Sequence, residues 1–209
     1  MRKIFFTAVP VDSNFHITSM PFNPKGTELK FPNEKIYFPI SAVIYSKCRE
    51  DDEVTLFCIQ QVNELDEGYN MQVLKDEIQS LNLPVAVDIR QVPIKENQDR
   101  SLLMSVFEEL IATMEPNAYY YADITFGTKS YPLILLTALN YADDILEETH
   151  IAGIYYQEVK RKAGHAAETH LYDVTVLHAM SSLIDTVKDL PAAARVSTIK
   201  AILHPEELK

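Results

Sequence analysis

The sequence predicts an α/β fold: a mostly parallel sheet with helices on both faces, an edge β-hairpin and C-terminal helices. Three observations carry this. β-rich runs alternate with helix-period segments along residues 1–175, the pattern of βαβ units. Leu102, Leu103, Val106, Phe107, Leu110, Ile111 and Met114 recur at helical spacing, the best periodic signal in the chain. Two strand-like runs flank a polar turn, "KRKAGHAAE" at 160–168, as in a hairpin at a sheet edge.

The elements follow in order. "KIFFTAV" at 3–9 is a first strand ending at Pro10. Residues 11–37, with Pro21, Pro24, Gly26 and Pro32, form a long loop or hairpin, a length that is usually functional. Pro39 suits the first turn of a helix through about Cys48. Residues 53–60 read as a buried strand. Residues 70–82 read as an amphipathic helix with Met71, Leu74, Ile78 and Leu81 on one face, stopped by Pro84. A strand follows at 85–94. Asp99 caps a helix to about Glu115, and "AYYYADI" at 118–124 is the next strand. Pro132 opens a helix through Leu146 that is apolar almost all round, the mark of a helix buried on more than one side, deep in the fold or in a subunit interface. Strands at 151–159 and 169–176 bracket the polar turn, and helices at about 176–189 and 192–203 finish the chain. Two domains are expected: 1–175, the sheet domain, and 176–209, a helical extension that is either a pair of capping helices or the stump of a linker.

Composition narrows the function classes. The 209 residues carry 19 Lys+Arg against 30 Asp+Glu, a formal charge of −11. Duplex DNA repels such a chain, which argues against broad phosphate-tracking binding. No run of about 18 apolar residues exists, so no spanning helix is expected. "MRKIFFTAVPVD" has too short an apolar stretch for a signal peptide. Cys48 and Cys58 have no companion pair and read as two reduced, buried thiols of a cytoplasmic protein. His150, His165, His170 and His178 fall on different predicted elements, so no metal-ligand spacing is met and surface histidines are expected. No cofactor motif is present.

In parallel sheets ligands bind beyond the carboxyl ends of strands, where strand order reverses. That directs attention to the loops after 3–9 and after 118–124. The second, Asp123-Ile124-Thr125-Phe126-Gly127-Thr128-Lys129-Ser130-Tyr131-Pro132, is the most informative segment. Gly127 permits a left-handed or closely approached backbone. Thr125, Thr128 and Ser130 supply hydroxyls, Lys129 a mobile positive charge, and the helix start its free N–H groups. Together these make a site for a phosphate or another anion. A Walker A loop is excluded, since "GTKS" lacks the upstream Gly and its spacer, and a dinucleotide fingerprint is excluded by the missing glycines. A well-capped βα turn with no ligand is the plainer alternative. Asp123 reads as a strand-end carboxylate that accepts backbone N–H bonds and pins the turn, because a carboxylate beside a phosphate would repel it.

"DITFGTKSYP" after a "YYYA" strand, leading into an apolar helix, resembles the signature of CARF domains, the CRISPR-associated Rossmann-fold sensors. The first strand ending in "TAVP" with Asp12-Ser13-Asn14 behind it is similar to that family's other ligand loop. The resemblance spans roughly residues 1–160 in element order, and only the ten-residue motif is specific. It implies a Rossmann-like sheet, a two-fold dimer and a cyclic oligoadenylate bound across the dimer axis in type III CRISPR antiviral signalling. On this reading Thr125, Gly127, Thr128, Lys129 and Ser130 hold phosphates and riboses. Val9, Pro10, Asp12, Ser13 and Asn14 line the pocket from the first loop, and helix 132–146 packs against its symmetry mate. Asp12 adds negative charge near the polyanion, a departure from a purely cationic site.

Three functions compete. The first is a sensor of cyclic tetra-adenylate, ahead of the hexa-adenylate, that controls an effector domain in cis or a partner in trans. The second is a ring nuclease that needs no metal, with Lys129, Ser130 and Ser13 as candidate catalytic residues; no histidine lies in either loop to act as a strong base, so cleavage is slow or absent. The third is a Rossmann-like enzyme acting on a phosphorylated metabolite. The KRK run at 160–162 is a solvated hairpin tip or a cationic collar. The tyrosines 119–121 alternate faces and pack in the core.

Overall fold

The central strand explains the most apolar run of the chain. In the computed structural model, which describes residues 1–11, 16–61, 68–94, 99–162 and 165–203, β1 (Arg2–Val9) is buried from Lys3 onward. A two-residue hairpin follows, β2 (Met20–Pro21) against β3 (Lys35–Ile36). Then come α1 (Pro39–Lys47), β4 (Glu53–Gln61), α2 (Tyr69–Ser80), β5 (Val87–Ile94), α3 (Arg100–Ala112), β6 (Ala118–Asp123), α4 (Ser130–Ile145), β7 (His150–Lys162), β8 (His165–Asp173), α5 (Val176–Val187) and α6 (Ala192–Leu203). The order across the main sheet is β5-β4-β1-β6-β7-β8, parallel throughout except for β8, which returns antiparallel to β7. Counting only strands of this sheet, that is 3-2-1-4-5-6, the doubly wound, Rossmann-like order, and it reverses between β1 and β6.

Alternation along β1 splits the core into two layers. Phe5 joins Leu56, Cys58 and Tyr121 under α1 and α2; Phe6 joins Phe57 and Tyr120 under α3 and α4. Phe5 stacks on Tyr121 with centroids 4.8 Å apart, and Phe6 on Phe57 at 5.4 Å. A central strand covered on both faces needs no polar side. Each helix turns its apolar stripe to its layer: Met71, Leu74 and Ile78 from α2; Leu102, Val106 and Leu110 from α3; Leu135, Ala138, Leu139 and Ala142 from α4. Cys48 and Cys58 are free and buried, with both thiol pKa values pushed up to about 12 by desolvation. Among the described residues no helix is long and apolar enough to cross a membrane.

The outer strand β8 is latched. The Lys25 N–H donates to the Leu171 carbonyl (2.9 Å), and the Leu171 N–H donates to the Asn23 carbonyl (2.9 Å). Contacts divide the chain into Met1–Thr175 and Val176–Lys209. The second unit consists of α5 and α6; α5 leaves Val176, Met180 and Ile184, spaced four apart, exposed.

Five expectations need correction. The helix after Asp99 stops at Ala112, because the Tyr120 hydroxyl donates to the Glu115 carbonyl and accepts the Glu115 N–H, drawing that residue out of the helix. α4 begins at Ser130, two residues before Pro132, since the Tyr131 N–H closes a turn on the Thr128 carbonyl. Pro132 is in the first turn, where its missing N–H has no intrahelical partner to lose. α4 is not buried all round within the chain: Leu133 and Ile145 are 66% and 65% exposed. The expected turn at 160–168 is largely ladder, with Lys160 paired to Glu168 across it. The histidines are not all superficial. His170 is buried between Glu158 and Glu168, 3.6 and 3.3 Å from its two nitrogens, and His178 is also buried.

Candidate functional site

The strand order reverses between β1 and β6, whose carboxyl ends lie side by side, the place where such sheets bind ligands. Both loops singled out from the sequence start there. The second comes against the end of β1 at Gly127, whose φ is +98°. A Cβ at this position would lie 3.0 Å from Ala8 Cβ and 3.1 Å from Tyr131 Cδ2. Only a residue without a side chain lets the turn lie against the end of β1.

Asp123 fastens the turn from beneath. It is 1% exposed. Oδ1 accepts the Thr125 N–H (2.9 Å), and Oδ2 accepts the Thr7 hydroxyl (3.1 Å). The nearby Thr125 hydroxyl and Ile40 N–H also favour its charged form. Burial pushes this carboxyl up to about 6, and these polar neighbours restrain the rise. Asp123 therefore ties β1 to the turn, as a pinning carboxylate should. Thr125 is drawn into the same tie: its hydroxyl also accepts the Gln157 N–H (2.9 Å) from β7.

The ligand-facing capacity lies in the next residues. Thr128 Oγ1 and Ser130 Oγ are 3.0 Å apart. Lys129 is exposed and makes no ion pair among the described residues. It occupies the N-cap of α4, which has no side-chain cap. The N-terminus of α1 is the contrast. Glu77 of α2 accepts the Tyr37 N–H (2.7 Å), the Phe38 N–H (2.9 Å) and the Ser41 hydroxyl (2.6 Å). That helix start is neutralised by one buried carboxylate. At the start of α4 Pro132 has no N–H and the Tyr131 N–H is used on the Thr128 carbonyl, so this end offers an anion its dipole and the Lys129 ammonium in place of the free N–H groups expected from the sequence.

On the β1 side, Val9 is 4% exposed and packs into the core, leaving its backbone at the crevice. Pro10 is half-buried, and its carbonyl accepts from Asn70 Nδ2 (3.0 Å). Asn70 Oδ1 accepts the Ile17 N–H (2.8 Å), so one fully buried side chain clamps both ends of the first loop. Asp12, Ser13 and Asn14 lie outside the described residues. The structure places Val9 and Pro10 at the carboxyl end of β1 and Thr125, Gly127, Thr128, Lys129 and Ser130 just past the carboxyl end of the adjoining β6.

Four supporting residues were not anticipated. Asn70 and Glu77 are seven apart on the buried stripe of α2; a polar residue on such a stripe is a readable signal. Phe126 packs against both layers and meets Phe38 edge-on at 5.6 Å. Gln157 is 2% exposed, and among the described residues neither Nε2 nor Oε1 has a hydrogen-bond partner. Among the described residues no cluster of three His, Cys, Asp or Glu side chains is placed to hold a metal. No protein-family model matches the chain, and no curated protein is significantly similar to it.

Proposed function

We propose that this chain is a two-fold sensor of a cyclic oligoadenylate, of the CARF type its motif resembles, with cyclic tetra-adenylate as the ring to test first and control of an effector as its output. The observation that carries the reading is the uncapped start of α4 at the switch point, with Lys129 exposed on it and Gly127 pressed against β1. That is an anion-binding geometry on a chain of formal charge −11. A symmetric ring on a two-fold axis meets the same half-site twice. The exposed Leu133 and Ile145 of α4 support an interface on that helix. Asp123 does not oppose the ring, because its carboxylate is sealed by donors.

Ring cleavage is the second reading, favoured by the Thr128–Ser130 hydroxyl pair beside Lys129. In that reaction a ribose 2′-oxygen bonds to the adjacent phosphorus, the 5′-oxygen leaves and takes a proton, and a 2′,3′-cyclic phosphate remains. Positioning supplies the rate, and Lys129 would stabilise the phosphoryl charge. An enzyme on a phosphorylated metabolite uses the same anion site without a second subunit.

Calorimetric titration and thermal shift with cyclic tri-, tetra- and hexa-adenylate test the reading. Binding to the folded state alone raises stability by about 2.7 kcal/mol at a hundredfold excess over Kd. Lys129→Ala should weaken binding about tenfold or more, the loss of one charge-assisted contact. Chromatography of the incubated ring reports cleavage. No shift with any ring, or an unchanged Kd in Lys129→Ala, sinks the assignment.

A further inference from the structure

A pair of exposed rings stands where the first loop meets α2. His16 and Tyr69 stack with centroids 4.9 Å apart and planes 30° from parallel. His16 is exposed, and Tyr69 is 52% exposed. The other stacked pairs among the described residues, Phe5 on Tyr121, Phe6 on Phe57 and Phe6 on Tyr120, are buried in the core. Core packing accounts for those three and not for this one, and a large exposed aromatic surface is the informative case.

The pair is held in place. Ile17 follows His16, and Asn70 follows Tyr69 in α2. The fully buried Asn70 accepts the Ile17 N–H on Oδ1 (2.8 Å) and donates from Nδ2 to the Pro10 carbonyl (3.0 Å). One side chain thus ties the backbones that carry both rings to the end of β1. Pro10 lies two residues beyond Ala8, about 7 Å along an extended chain, and Ala8 is the residue against which Gly127 of the motif turn lies. Rings anchored in this way lose little further freedom when a ligand arrives.

A flat aromatic surface takes a flat partner. One face of each ring is used on the other, and a planar group added to the stack covers surface that is now in water. Stacking needs no cation, which suits a chain of formal charge −11. A ligand with a flat, uncharged part here and an anionic part at Lys129 is a nucleotide. We propose that His16 and Tyr69 form a stacking platform for a nucleobase, with the phosphate of the same ligand directed to the motif turn. This rests on the nucleotide reading above and extends its site to α2. A base stacked on an aromatic side chain gains about fivefold or more in affinity.

The chain has no Trp, so Tyr69→Trp puts a single fluorescent reporter in the platform. Adenosine 5′-monophosphate should quench it saturably, and ribose 5-phosphate, which carries the phosphate without a base, should not. Tyr156→Trp, at an exposed position on β7, reports collisional quenching and should show no saturation. In calorimetric titration with cyclic tetra-adenylate, Tyr69→Ala should weaken binding about fivefold or more, and His16→Ala about threefold. Tyr69→Phe, which keeps the ring, should stay within about twofold of native. Both side chains are exposed, so the fold is unaffected; circular dichroism checks each variant. Quenching that is absent, or equal with ribose 5-phosphate, overturns the platform. An unchanged Kd in Tyr69→Ala, with the ring still lost in Lys129→Ala, overturns it too and leaves the anion site standing. Saturable quenching by the monophosphate in a chain that binds no ring keeps the platform and discards the ring.

Discussion

Substituting Asp123→Asn should flatten the dependence of stability on pH. Burial beneath the turn pushes the folded carboxyl up to about 6, above the ordinary aspartate value of 3.8. The folded chain therefore holds this proton more tightly than the unfolded chain. Below pH 4 both states are protonated and the group costs nothing. As pH rises from about 4 to 6 the unfolded chain releases its proton first, and stability falls. Between those two values the loss accumulates to about 3 kcal/mol, complete only above about pH 7. Asparagine mimics the protonated acid at every pH. Its oxygen can still accept the Thr125 N–H, and the Thr7 hydroxyl can turn to accept from the new amide. Urea unfolding at pH 4, 5, 6 and 7, followed by circular dichroism because the chain has no Trp, gives the difference between native and variant. That difference should move in the variant's favour by about 3 kcal/mol across the series. Burial raises Glu77 too, but it is common to both proteins and cancels. A difference that stays constant with pH would refute the account of Asp123 as a buried, ionising pin.

Two further outcomes follow from the same region. Gly127→Ala forces a side chain into a left-handed position 3.0 Å from Ala8 Cβ, and should cost about 1–3 kcal/mol in urea unfolding while shifting the amide resonances of the 125–130 turn. Glu77→Ala strips three donors of their acceptor at the start of α1 and should lower stability by about 3 kcal/mol, with faster amide exchange at Tyr37 and Phe38.

Periodicity made the strand–helix alternation and the helix faces legible, because each depends on neighbours within a few residues. The motif turn was legible for the same reason: Gly127, the hydroxyls and Lys129 are contiguous. What holds the site in place was not. Asn70 reaches Pro10 across 60 residues, and Glu77 reaches Tyr37 across 40. Only their polarity on the buried stripe of α2 hinted at a purpose. The polar ladder of β7 and β8 read as a turn because Lys160 meets Glu168, and His170 meets Glu158, across strands, and cross-strand pairing leaves no mark within a short window. The apolar character of α4 was visible, but sequence alone did not separate the side facing the sheet from the side facing outward.

The excursion between β1 and α1 leaves the crevice at Pro10 and bonds to the outermost strand at Leu171 before returning. A segment from the first sixth of the chain thus cannot find its seat until residues beyond 165 have emerged and paired. During synthesis the pocket wall would form late, so the sheet assembles around an unfinished rim, and an early stop in translation would leave that rim with nothing to hold.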